Sequence, residues 1–228
     1  MFWICFLANF YLKLTYKNVI LNSYASAQGQ HEEKMVAKKR YRKKQAVKNQ
    51  KPSGKRTWNK TKPEVIAALD LGTNNCRLLI AKPNPNGFKV IDGFSRIVRL
   101  GEGLSNKSEL TEEAMNRTYE ALSVCGKKVI KHGVMHGRYV ATEACRQATN
   151  AKTFLKKVEE DIGIWVEVIP SQEEAKLTFL GCIPLLDPRI PFALMFDVGG
   201  GSAEFLWVKM KQEKPEVLGC ISLPCGVV

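Results

Sequence analysis

Two glycine turns led by aspartate constrain this chain most: Asp70-Leu71-Gly72-Thr73-Asn74-Asn75 and Asp197-Val198-Gly199-Gly200-Gly201-Ser202. Each follows an apolar run, Val65–Leu69 and Phe192–Phe196. Each leads into a second run, Cys76–Ile80 and Ala203–Val208. The pattern predicts strand, tight turn, strand, twice over. Glycine lets backbone amides come close to a ligand. A run of such amides makes an anion-binding concavity, and an aspartate at its mouth can hold a hydrated cation. One such turn is equally a plain hairpin loop. The matched pair predicts two phosphate-gripping hairpins that face one another, with Gly72, Thr73 and Asn74 in the first and Gly199, Gly200, Gly201 and Ser202 in the second. Neither is a Walker loop, because no Gly-Lys-Ser/Thr follows.

Charge divides the chain at Pro63. Residues 1–62 hold fifteen Lys and Arg against Glu32 and Glu33, which accounts for the whole net charge of +13. Residues 63–228 are neutral and long enough for one α/β domain with a core. The basic stretch 35–62 has few aliphatics and is expected to be a disordered arm, suited to nucleic acid or another polyanion or serving only as a solubilising tail. Met35 is taken as the natural start. The alternative, a signal peptide cleaved near Ala25-Ser26-Ala27, lacks a basic residue before its apolar run. Lys13 and Lys17 interrupt that run before it can span a bilayer, so no membrane contact is expected. Seven cysteines without a Cys-x-x-Cys pair predict buried thiols in a reducing, cytoplasmic setting, with no disulfide frame or zinc site.

Between the turns, strand patterns alternate with helix patterns. Phe88–Leu100 predicts a strand. Thr111 opens a helix with Met115, Tyr119, Leu122 and Val129 on one face, and 138–142 predicts a short strand. Asn150 caps a helix stopped by Gly163, Trp165–Ile169 is a strand, and Ser171 starts a helix to about Gly181. A last strand is expected near Val217–Leu223. The order implies a mixed sheet with flanking helices.

Ser171-Gln172-Glu173-Glu174 supports two readings. Ser171 and Glu174 fit a capping box. Alternatively, Glu174 ends a strand, faces the ligand crevice of an open sheet and takes a proton from water. Glu173, its neighbour, should point elsewhere. Arg146 after a strand end suits bidentate phosphate binding, or is a solvated helix-start arginine. Arg77, inside an apolar strand, needs a partner, for which a phosphate is one candidate. Glu204 with Asp197 can flank a hard cation, or is a surface glutamate. No chemistry is assigned to the histidines.

At these residues the chain resembles the exopolyphosphatase / guanosine pentaphosphate phosphohydrolase (Ppx/GppA) family, of the actin–hexokinase–Hsp70 fold superfamily. The likeness runs from about Val65 to Val228. It rests on the two Asp-Gly turns with Arg77 and Glu204, on Ala141-Thr142-Glu143-Ala144-Cys145-Arg146, and on Glu173-Glu174-Ala175-Lys176. The resemblance implies an actin-like (ribonuclease H-like) α/β lobe and a hydrolase acting on phosphoanhydride bonds. Glu174 is then the general base, Asp197 and Glu204 are metal-associated carboxylates with Asp70 less securely so, and the cofactor is Mg²⁺. Arg77, Arg146 and the glycine turns form the phosphate grip, and the full-length form is a homodimer. Lys176 stands where the family more often has arginine, and Ala203 where it more often has threonine. The family's second lobe is expected to be absent, since the chain stops near Leu223, as a fragment or a truncated product. The alternatives are a nucleotide-dependent kinase or ATPase of the same fold and a non-catalytic polyanion-binding fragment.

Overall fold

The computed structural model describes residues 64–84, 87–211 and 215–227. The basic arm, the choice of start and the boundary at Pro63 lie outside the described residues.

The first apolar run becomes β1, Ile66–Leu71, at the centre of a five-stranded sheet of order β3-β2-β1-β4-β5. β2 (Asn75–Asn84) and β3 (Gly87–Ile97) continue from it as an antiparallel meander, whereas β4 (His136–Ala141) and β5 (Glu167–Val168) run parallel to it. A strand covered on both faces reads as a near-continuous apolar run, which is why β1 shows no alternation before Asp70. Ile66, Ala67, Ala68, Leu69 and Leu71 are all buried. The expected strand 165–169 shrinks to two paired residues, although Ile164, Val166 and Ile169 remain buried.

A one-turn helix, α1 (Leu104–Lys107), precedes the long crossover helix α2 (Glu112–Lys131) that links the meander to β4. Thr111 caps α2 by accepting a hydrogen bond from the Ala114 amide at 3.2 Å. Glu112 and Glu113 at its start and Lys128 and Lys131 at its end suit the helix dipole. A five-residue helix, α3 (Glu143–Gln147), follows β4, and α4 (Ala151–Ile162) buries Phe154, Leu155 and Val158. Gly163 ends α4 in the left-handed region at φ 79°. Asn150 does not cap α4 with its side chain. It clamps the loop before α2 instead, accepting from the Leu110 amide and donating to the Leu110 carbonyl, both at 2.9 Å.

This is the mixed sheet with flanking helices that the order of elements predicts, and the second pair of apolar runs does not join it. β6 (Phe192–Val198), β7 (Ala203–Lys209) and β8 (Glu216–Leu223) form a separate antiparallel sheet of order β6-β7-β8. Met195, Leu206 and Val208 pack with Ala175 and Phe179 of α5 (Ser171–Cys182). A 3₁₀ turn, Ile183–Leu185, ends that helix. Phe192, Leu194, Phe196 and Val198 alternate with the buried set and are exposed, as is Trp207. The thiols follow the same divide. Cys76, Cys125 and Cys145 are buried in the first core as expected, whereas Cys220 and Cys225 are exposed.

Candidate active site

The two glycine turns have one backbone geometry. In the first, Asp70 pairs with Arg77 across the strands and the Gly72 amide donates to the Asn75 carbonyl at 2.8 Å. In the second, Asp197 pairs with Glu204 and the Gly199 amide donates to the Ser202 carbonyl, also at 2.8 Å. The turns meet face to face, as their matched sequences predict. A Cβ on Gly200 would sit 3.1 Å from Thr73 Cβ and 3.3 Å from the Asn74 amide nitrogen, so only glycine fits without displacing the first turn. The chain returns over the second turn near its end. The Val227 amide donates to the Gly199 carbonyl at 3.1 Å, and a Cβ on Gly226 would run into the Gly200 carbonyl oxygen.

Between the turns lies a cavity of about 220 Å³ lined by Asp70, Arg77, Glu174, Thr178, Asp197 and Val227 together with both turns. The Arg77 Nε is buried there without a hydrogen-bond partner. The same guanidinium lies close enough to Asp70 and Asp197 to hold both carboxyls down against the rise that burial causes.

Glu174 settles the choice between capping and the crevice. The N-cap of α5 is Pro170, no side chain caps the helix, and the capping box is not formed. Glu174 Oε2 instead accepts from Arg146 Nη1 at 2.7 Å. Burial pushes its carboxyl up to about 7, against the pull of Arg146 and with the push of Glu204 and Asp70. Glu173 points away, as expected for its neighbour, and accepts from Arg138 Nη1 at 3.1 Å.

Arg146 sits behind Glu174 and not in the cavity lining. Its Nε and Nη2 donate to Glu143, and its Nη1 donates to the Ile169 carbonyl at 2.9 Å as well as to Glu174. Four of its five N–H groups are thereby occupied within the fold. It orients the carboxylate more than it offers itself to a phosphate. Glu143 was missed in the sequence because an acid at a helix start is unremarkable. Its i, i+3 spacing to Arg146 was the available signal.

The three remaining carboxylates are all held above their ordinary range. Burial raises Asp70 to about 6, with Asp197 adding to the rise and Arg77 opposing it. Burial raises Asp197 as well, although its Oδ2 accepts from Thr178 at 3.2 Å. Glu204 is buried, not a surface glutamate. It is raised by desolvation and accepts from Ser222 at 3.1 Å and from Ser202. This is an oxygen-only donor set short of positive charge, and it suits a hard cation. Among the described residues no group of three or more His, Cys, Asp or Glu is placed to ligate one ion directly. The two departures from the expected pattern lie outside the cavity: Lys176 is exposed beside Glu173 at 3.6 Å, and Ala203 is buried.

Residues 79–228 match the Ppx/GppA phosphatase family. The chain belongs to that family. It is 34% identical over 142 residues to the guanosine-5'-triphosphate,3'-diphosphate pyrophosphatase of Photobacterium profundum, covering 62% of this chain and 28% of that one. Among solved structures it is similar to the PPX-GPPA enzyme of Aquifex aeolicus, with 33% identity and a TM-score of 0.62 over 72% of this chain and 54% of that one. It is also similar to an exopolyphosphatase from Cytophaga hutchinsonii, with 30% identity and a TM-score of 0.65 over 72% of this chain and 51% of that one. The chain thus spans about half the length of these solved relatives and about a quarter of the curated one. The chain shares its fold with these solved relatives, and the five-stranded mixed sheet with its helices belongs to that shared fold. No helix among the described residues is long and apolar enough to cross a membrane.

Proposed function

We propose that this chain carries the catalytic face of a phosphohydrolase that releases the terminal phosphate of inorganic polyphosphate or of guanosine pentaphosphate, in the cytoplasm. Both substrates end in a phosphoanhydride, and nothing in the cavity favours one over the other. The observation that carries the reading is the meeting of three features in one cavity: two facing amide turns, a buried Arg77 whose Nε has no hydrogen-bond partner, and the Glu174 carboxyl pushed up to about 7 by burial.

The turns and Arg77 would bind the terminal phosphate and neutralise charge as it moves onto the leaving oxygen. Glu174, held by Arg146, takes the proton of the attacking water, and its ionisation near pH 7 suits that task. Asp70, Asp197 and Glu204 would hold Mg²⁺, which when bound supplies further neutralisation of phosphate charge. A homodimeric full-length form and polyanion contact through residues 35–62 belong to the same proposal and rest on the family and on composition.

The test is phosphate release from each substrate with Mg²⁺, by this chain alone and continued by the second half of a solved relative. Glu174→Gln is expected to lower kcat by about 10²–10⁴, and Glu173→Gln to change it less than about twofold. Equal losses at both positions, or a loss explained by unfolding, would overturn the assignment.

A further inference from the structure

Glu143 has no place in the constellation expected from sequence, yet it lies where α3, the second glycine turn and the base come together. Its Oε2 accepts from Arg146 Nε at 2.8 Å and from Nη2, and its Oε1 accepts from Gln147 Nε2 at 2.6 Å. Its stem packs on the second turn, since a Cβ on Gly201 would lie 3.3 Å from Glu143 Cγ. The side chain is only 15% exposed.

The guanidinium is held on two sides. Its Nε edge belongs to Glu143, and its Nη1 belongs to Glu174 and the Ile169 carbonyl. It cannot turn about its long axis without breaking bonds on both sides. In a half-buried site, one arginine facing one carboxylate makes a closed ion pair, and a carboxylate so paired is a weak proton acceptor. A second carboxylate on the far edge changes that balance.

We propose that Glu143 is a positioning residue: it clamps Arg146 by the Nε edge and shares its charge, so that Arg146 orients Glu174 without neutralising it as a base. The proposal rests on the reading of Glu174 as the base. The charges that act on Glu174 are Arg146 from α3, Glu204 from β7 and Asp70 from β1. Glu143 reaches it through Arg146.

The experiment is a carbon-13 NMR titration of glutamate carboxyls, with the Glu174 signal identified by its loss in Glu174→Gln. Glu143→Gln is expected to lower the Glu174 midpoint by about one pH unit, because Arg146 then has one counter-charge in place of two. In an Arg146→Gln background the same substitution is expected to leave the midpoint in place. Glu143→Asp, which keeps the charge, is expected to keep the wild-type midpoint. An unchanged midpoint in Glu143→Gln, or an equal change with Arg146 removed, would overturn the proposal. A reading that needs no variant is hydrogen exchange at the Arg146 Nε–H. The clamp predicts slow exchange, and exchange as fast as in a solvated arginine would overturn it. Where phosphate release is measurable, the acid limb of its pH profile should move with the midpoint. If no release is found even from the chain continued by a relative's second half, the base reading fails while the titration still decides what Glu143 does.

Discussion

The two hairpins share a backbone and differ in what they carry. Each places an aspartate before a turn closed by a 2.8 Å amide-to-carbonyl bond, and in each that aspartate pairs with the residue seven positions on. In the first hairpin that residue is Arg77, and in the second it is Glu204. One backbone therefore presents a cation to the cavity from one side and a further carboxylate behind it from the other. The settings differ too. β1 is buried on both faces, whereas β6 leaves Phe192, Leu194 and Phe196 exposed on one. The same turn geometry therefore serves both hairpins, and the residue paired with the aspartate sets the charge each one brings, positive at Arg77 and negative at Glu204.

The largest expected effect comes from forcing the turns apart. A Cβ on Gly201 would lie 2.8 Å from Thr73 Oγ1, and Thr73 is a buried, β-branched neighbour with little room to yield. The nearest atom to a Cβ on Gly72 is the Asn75 carbonyl oxygen at 3.5 Å, an ordinary contact. Gly201→Ala is expected to cost about a hundredfold in phosphate release, as for a misplacement of about 1 Å. Gly72→Ala should stay within about threefold by the same measure. Equal effects would mean that the turns do not depend on one another.

Exchanging the paired charges gives an intermediate effect. Arg77→Gln is expected to weaken polyphosphate binding by about tenfold, the value of a charged hydrogen bond. Glu204→Gln should leave that affinity nearly intact and weaken the response to Mg²⁺. Calorimetric titration with polyphosphate, with and without Mg²⁺, separates the two. Identical behaviour would dissolve the division of labour.

The smallest effect is on stability. The Asp70 carboxyl ionises near pH 6 when folded, against 3.8 as a free side chain, because burial disfavours its charge. Its contribution to stability is complete below about pH 3.8 and is lost as pH rises through about 6. Asp70→Asn should therefore raise Tm at pH 8 by about 2–4 °C, with a smaller gain at pH 5. Asp197→Asn should gain less, because Asp197 already accepts a hydrogen bond from Thr178. Thermal melts at the two pH values decide it, and a gain at pH 5 equal to that at pH 8 would remove charge burial as the cause.

Local chemistry carried much of this protein. The strand-turn-strand units, the Thr111 cap, the Gly163 stop and the inward faces of α2 and α4 were legible because each depends on residues within one or two turns of chain. So was the meeting of the hairpins, since matched turns on matched strands suggested a common ligand. Other features were not legible, and the reason is the same for each. Asn150 was expected to cap its own helix and instead bonds Leu110, forty residues away. Ser171 and Glu174 fit a capping box by spacing, but Arg146 offered the carboxylate a stronger, charged donor across the fold. The division into two sheets depends on whether β6 finds an open edge of the first sheet or a partner in β7 and β8, and hydrophobic pattern does not encode that choice. Local pattern thus specifies the elements, the turns and the kinds of group available to the site. Which charges meet is settled by packing, because a buried carboxylate or guanidinium takes whichever counter-charge the folded core brings within reach.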